Sequence, residues 1–386
     1  MWTWSCLRAA PRRAREMNRR WRTLALALVA LWPCLAAGGE RWRVQYFYDP
    51  AEDSEFSIAD LAFPSARVGM AAGQIAGRGK PKPYAVSTSD GGRTWVPVAV
   101  PEVAISLFFL DEHTGWLVAS NSIWRTGDFG QHWTRLKPAP NALRVYFRDE
   151  KRGWAVGGSK SVWQTGDGGA TWTAVGAAGT PASAREHSVY GAIAFADPKF
   201  GLIMGWSKPP RPGDRGRAPD WVDPEGQPRE WPGLAISLQT KDGGETWKAS
   251  ETSMFGQSTA LSLAGDGRGL LLVEFFGRFD YPSEVYRMDL GTGKSTRAFR
   301  RKDRAVTDVL IEAQGPAYLA AVEPTGTLFH SPVPGKLKVL KSEDLEKWTD
   351  MEVDYRAIAR RACLAAADRA NVWVATDTGM ILKLSE

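Results

Sequence analysis

Cysteine and histidine are the scarcest chemistry-bearing residues in this chain: it has three and four of them among 386 residues. Cys6 and Cys34 fall near the N-terminus, and Cys363 stands alone in an apolar run. A disulfide framework is therefore excluded, Cys363 is expected in the core, and stability has to come from packing. His113, His132, His187 and His330 show no ligand spacing, so no metal centre and no cofactor is expected. His132 is read as solvated. A phosphate-cradling loop is missing too. Gly157-Gly158-Ser159-Lys160 joins two strands with no following helix and reads as a turn. No nucleophile elbow occurs.

An excess of positive charge is also missing once the N-terminus is set apart. Residues 1–38 hold seven Arg and one Glu, a net of +6, and the whole chain is also +6. The remainder is near neutral, which argues against general affinity for nucleic acid or anionic membrane. The same segment carries Arg19, Arg20 and Arg22, then the apolar run Leu24 to Trp32, then Ala36, Ala37, Gly38 and Gly39. That is the order of a secretory signal peptide over 1–38, with Met17 as a second possible start. The apolar run is shorter than the ~20 residues that span a bilayer. The expected location is periplasmic or secreted, with no stable membrane span after cleavage; an uncleaved anchor is the competing reading.

What is abundant is one repeated turn. Thr165-Gly166-Asp167-Gly168-Gly169-Ala170-Thr171-Trp172 has counterparts ending in Asp90/Trp95, Asp128/Trp133 and Asp242/Trp247. A worn copy runs from Ser342 through Asp344 to Trp348. The Asp can accept N–H bonds from its own turn, the glycines take positive φ, and the Trp opens the next strand. Shared metal binding by these Asp residues is discounted, because they lie far apart in sequence and each has local donors. The motif resembles the Asp-box, or BNR repeat, of sialidase-like β-propellers. That resemblance implies a fold and leaves function open, since the box lies away from that superfamily's active sites.

The units between the boxes align. Residues 104–136 and 143–175 each read as four short strands, with Gly115-Trp116 and Gly153-Trp154 at equivalent places. Units of about 40 residues with four strands are propeller blades. The expected architecture is all-β: one domain over 42–386, a seven-bladed propeller of four-stranded antiparallel blades, with six blades as the alternative. Blades are placed at 56–99, 104–136, 143–175, 189–250, 258–299 and 306–353. The last blade, 358–384, lacks a strand, which the N-terminal strand from Trp42 to Tyr48 can supply to close the ring. Trp116, Trp154 and Trp206 read as core between blades.

Alternation of turns puts the boxes on one face and the irregular loops on the other, and function is commonly carried by such loops. The candidate partner face comprises Arg78, Lys80, Arg185, His187, Trp221, Trp231, Arg278 and Tyr281. Trp221 and Trp231 belong to an insertion at 207–233 and read either as partner contacts or as pins that hold it down. The Gly-Trp and box pattern over 104–175 is most similar to the photosystem II assembly and stability factor family. This resemblance implies an exported, non-catalytic assembly protein with a protein partner. The alternative is a sialidase-like exo-glycosidase or a glycan-binding lectin, for which Arg304, Glu274 and Asp280 join Arg78, Arg185, Arg278 and Tyr281 as candidates. No spacing marks catalysis, and no catalytic residue is assigned.

Overall fold

The computed structural model describes residues 39–49, 54–209, 230–325 and 333–385. The leader, Trp221, His330 and most of the insertion lie outside them. Within them the chain forms seven sheets, each built on a four-stranded antiparallel meander. Six are built from consecutive strands, at 55–98, 106–135, 142–174, 188–255, 257–299 and 305–350. The seventh joins Ala362–Asp368, Asn371–Thr376 and Met380–Ser385 to the N-terminal strand Arg41–Phe47. This is a seven-bladed propeller. The six-blade alternative falls because 257–299, which has no box, still forms a regular four-stranded blade.

Closure is antiparallel, from Arg41 opposite Ser385 to Phe47 opposite Met380. Trp42 is buried there, its indole N–H donating to Met351 Sδ at 3.3 Å and its ring edge-on to Tyr318. One further pairing was not foreseen. Glu352–Val353 runs parallel to Arg41–Trp42 and joins the rims of blades 6 and 7.

Each repeated turn is stapled twice. In blade 3, Thr165 Oγ1 donates to Asp167 Oδ1 at 2.8 Å and accepts from the Gly169 N–H at 2.9 Å. Asp167 in turn accepts from the Thr171 N–H at 2.8 Å and its hydroxyl at 2.6 Å. Blades 1 and 4 repeat these bonds around Asp90 and Asp242. In blade 2 His132 takes the place of the threonine, with Nδ1 2.6 Å from Asp128 Oδ2. His132 is exposed, as expected, but it is a partner of the staple and not merely solvated. The worn copy keeps the device shifted by one residue: Asp344 accepts from the Glu346 and Lys347 N–H groups, and Leu345 takes the positive φ. The turn is also sewn to the neighbouring loop of its own blade, as by the Gly168 N–H to Lys151 O at 2.8 Å.

The Gly-Trp pairs explain the seams between blades. Trp116 lies flat on Phe147 of the next blade, with centroids 3.6 Å apart and planes 7° apart. Trp373 lies on Phe63 in the same way, at 3.5 Å and 4°, and Trp154 stacks on Phe195 at 4.9 Å. The box Trp of the receiving blade meets that Phe edge-on, as Trp172 meets Phe147 at 72°. The glycine before Trp116 and before Trp154 leaves room for the Phe of its own blade: a Cβ at Gly153 would lie 2.4 Å from the Phe147 ring; Val372 stands before Trp373. Trp116 and Trp154 are therefore core between blades, as expected; Trp206 is only partly buried.

Two measurements check this reading. The indole N–H groups of Trp95, Trp133, Trp172, Trp247 and Trp348 are shielded and have no hydrogen-bond partner among the described residues. The ring's apolar area is thus what the seam uses. Trp172→Phe is expected to unfold within about 1 kcal/mol of wild type in urea, and Trp172→Ala to lose about 3 kcal/mol. The second concerns acid. Bonds from Thr94 and His132 to Asp90 and Asp128, and from Thr171 and Thr246 to Asp167 and Asp242, hold these carboxyls down at about 2. A depressed carboxyl contributes its full stability above the ordinary value and loses it as pH falls through the folded one. The midpoint of thermal unfolding should therefore drop between about pH 4 and pH 2, and less steeply in Asp167→Asn.

Candidate functional site: the face opposite the repeated turns and the central channel

Strand order fixes which loops share a face. Connections between third and fourth strands carry the repeated turns, and those between first and second strands share their face. Connections between second and third strands, and between blades, emerge opposite. Arg78 and Lys80 stand exposed there on blade 1. Arg185 and His187 lie in a 3-10 turn, Arg185–His187, between blades 3 and 4. Arg278 and Tyr281 lie on blade 5, Arg278 bonded through its carbonyl to Glu230, the neighbour of Trp231. The expected set thus divides: Trp231 and Arg278 come together where blades 4 and 5 meet, Tyr281 lies on blade 5 against Arg300, and the others stand on different blades.

The stem of the insertion shows why Trp231 is placed as it is. The flanking strands end at Ser207 and resume at Pro232. Glu230 between them is buried, forms an ion pair with Lys208, and accepts from the Gly277 N–H at 2.6 Å and the Gly256 N–H at 3.3 Å. The Glu230 N–H donates to Arg278 O at 2.9 Å. Lys208 Nζ sits 4.4 Å from the Trp231 ring centroid, so these contacts match the pinning role for Trp231. Tyr281 lies beneath Arg300, 4.2 Å from ring centroid to guanidinium carbon.

An aromatic patch beside this stem was missed. Phe255 and Phe276 are 45% and 41% exposed, and Phe279 stacks on Phe275 and, less closely, on Phe255. Its signal was present in Phe275-Phe276-Gly277-Arg278-Phe279, where consecutive aromatics cannot all face one core.

Several glycosidase candidates are committed elsewhere. Glu274 is buried and bound bidentately by Arg361 at 2.8 and 3.0 Å, which ties blade 5 to blade 7. Arg304 is buried against Asp350 at 3.1 Å and Asp303 at 2.9 Å. A Tyr–Glu pair does occur, with Tyr286 donating to Glu284 at 2.6 Å. It sits on the third strand of blade 5, and burial together with that bond raises the phenol to about 12, which opposes a phenolate nucleophile.

The first strands of the blades line a central channel of about 470 Å³. Its walls include Asp60, Arg144, Thr259, Asp308, Arg361 and Cys363. Cys363, expected in the core, instead lies partly buried on this wall, its thiol raised by burial. Both carboxylates follow a bulge in their strand and reach across a seam. Asp60 accepts from Leu61 N–H and from Leu107 N–H of blade 2, each at 2.9 Å. Asp308 accepts from Val309 N–H at 2.9 Å and from Leu364 N–H of blade 7 at 2.8 Å. Arg144 of blade 3 approaches Asp60 to 3.7 Å.

Burial pushes Asp308 up to about 6, against the lowering effect of its two backbone bonds. Burial also raises Asp60, with Arg144 opposing. A raised carboxyl leaves the fold most stable while it is protonated and costs stability as pH rises through the folded value. Ionising Asp308 is therefore expected to cost about 1–3 kcal/mol between pH 4.5 and pH 7.5. Asp308→Asn should remove that slope; an unchanged slope in differential scanning calorimetry would exclude Asp308 as its source.

Comparison of the sequence with protein-family models and with curated proteins finds no match. Solved structures do resemble it. YCF48 bound to a D1 peptide is 15% identical with a TM-score of 0.59, over 89% of this chain and 95% of that one. YCF48 from Cyanidioschyzon merolae is 15% identical with a TM-score of 0.56, over 89% and 98%. The GH74 xyloglucanase from Xanthomonas campestris is 12% identical with a TM-score of 0.56, over 89% of this chain and 53% of that one. At such identities the likeness shows the propeller fold alone.

Proposed function

We propose that this chain is an exported, non-catalytic β-propeller whose turns are Asp-box repeats. It binds a protein partner through the face opposite those turns, at blades 4 and 5. The observation that carries this reading is the difference between the two faces. On one, turn and loop donors are spent on each other, and the exposed residues are the polar tips of stapled turns. On the other, Phe255 and Phe276 stay exposed beside Arg278 and Arg300. Exposed aromatics next to arginine are the composition of protein-binding hot spots. The D1 peptide held by the similar YCF48 propeller supports a peptide-like partner. The leader at 1–38 supports a periplasmic or secreted setting. Among the described residues no helix is long and apolar enough to cross a membrane.

A photo-crosslinking residue at Phe276 is expected to give one recurrent adduct in the producing cell, and the same residue at Arg93, in a repeated turn, none. Phe255→Ser with Phe276→Ser should abolish capture of that partner with a melting shift under about 3 °C. An adduct from position 93 alone would contradict the reading, as would turnover of a fluorogenic sialoside or of xyloglucan.

A further inference from the structure

The channel carries a charge that the fold does not balance. Asp60 has Arg144 at 3.7 Å. Arg361 at the channel wall is matched by Glu274, and Asp377 by Arg360 at 3.0 Å. Asp308 remains. Among the described residues it forms no ion pair, and its two oxygens receive one backbone N–H each. A carboxylate accepts about four hydrogen bonds. Half of its capacity is therefore unused, beside about 470 Å³ of open channel. Thr259 lines the same channel, and its Oγ1 is shielded with no hydrogen-bond partner among the described residues. An asparagine could accept only one of these two N–H bonds, because its amide nitrogen donates, so the aspartate serves the seam between blades as well as the channel.

We propose that the channel is a binding site for one alkylammonium or guanidinium group, seated against the Asp308 carboxylate. The chemistry follows from the wall. One unmatched negative charge selects a monocation, and the unused lone pairs select a hydrogen-bond donor. Leu261, Val309 and Leu310 line the same channel and suit the methylene stem of such a group. Arg144 is the internal competitor, since its guanidinium contributes to the field at both Asp60 and Asp308. The group could be the end of a free amine or the side chain of an inserted peptide. This site is separate from the aromatic patch, so its failure would leave the proposed partner face standing.

The test is calorimetric titration of the protein with agmatine at pH 7.5, and with the end-blocked peptide Gly-Gly-Arg-Gly-Gly. Agmatine is expected to bind with a Kd below about 1 mM, at least tenfold more weakly to Asp308→Asn, and several-fold more tightly to Arg144→Met. Binding of the peptide as well would identify a side chain as the occupant; agmatine alone would identify a free amine. At pH 5 affinity should fall at least fivefold as Asp308 takes up its proton. Of the other groups facing it, Arg144 and Arg361 stay charged, Cys363 stays a thiol, Asp377 is held by Arg360, and Asp60, which burial also raises, is distinguished by the loss of the pH dependence in Asp308→Asn. Circular dichroism checks that each variant is folded. Absence of agmatine binding to wild type, equal binding to Asp308→Asn, or no gain in Arg144→Met would each overturn the proposal.

Discussion

The stacking of a tryptophan on a phenylalanine across three of the seven seams is the interaction on which this structure depends. A four-stranded blade cannot cover its own faces and must bury them against its neighbours. Trp116 on Phe147, Trp154 on Phe195 and Trp373 on Phe63 do this at successive or closing seams. The stapled turn completes each one. Its tryptophan meets the phenylalanine edge-on, and its second glycine leaves space for the incoming side chain: a Cβ at Gly244 would come within 2.1 Å of Trp154. The turn is thus a docking surface for the preceding blade as much as a corner in its own.

A rigid ring separates what must be regular from what can vary. The face of stapled turns has its donors and acceptors satisfied locally, at low solvent cost and with carboxyls that stay ionised well into acid. The opposite face takes the insertion, the paired arginines and the exposed phenylalanines. Inside, the first strands bring polar groups together that no local sequence signal links. Asp60 and Asp308 lie 248 positions apart in the chain, yet each bridges a seam of the same channel. Carboxylates retained there oppose folding at neutral pH, and such groups commonly mark sites of binding.

Much of the fold was legible because it is written locally and repeatedly. Asp, glycine and tryptophan at fixed spacing specify a turn, and the recurrence of Gly115-Trp116 as Gly153-Trp154 gives the period. Closure by Arg41–Phe47 was legible from a missing strand. Blade 5 was harder, because it folds by strand pairing and core residues alone. The partner role of Trp373 was hidden, since its blade has no box. His132 is solvated as expected, but its part in the staple was hidden because imidazole replaces a hydroxyl there. The site was less legible than the fold. Arg78, Lys80, Arg185 and His187 were placed on the right face but not together, since blade order gives a face and not a distance. Glu274 and Arg304 are engaged by Arg361 and Asp350, pairings that only three dimensions create.

The claim that the repeated turn is shaped to receive the preceding blade is tested most directly by a double-mutant cycle between Trp154 and Gly244 in urea unfolding. Gly244→Ala alone combines backbone strain at φ +86 with collision against the Trp154 ring. If the seam governs the turn, part of its cost disappears in a Trp154→Ala background, with a coupling of at least about 1 kcal/mol. Strict additivity of the two substitutions would mean that the glycine serves its own turn alone, and would contradict the account.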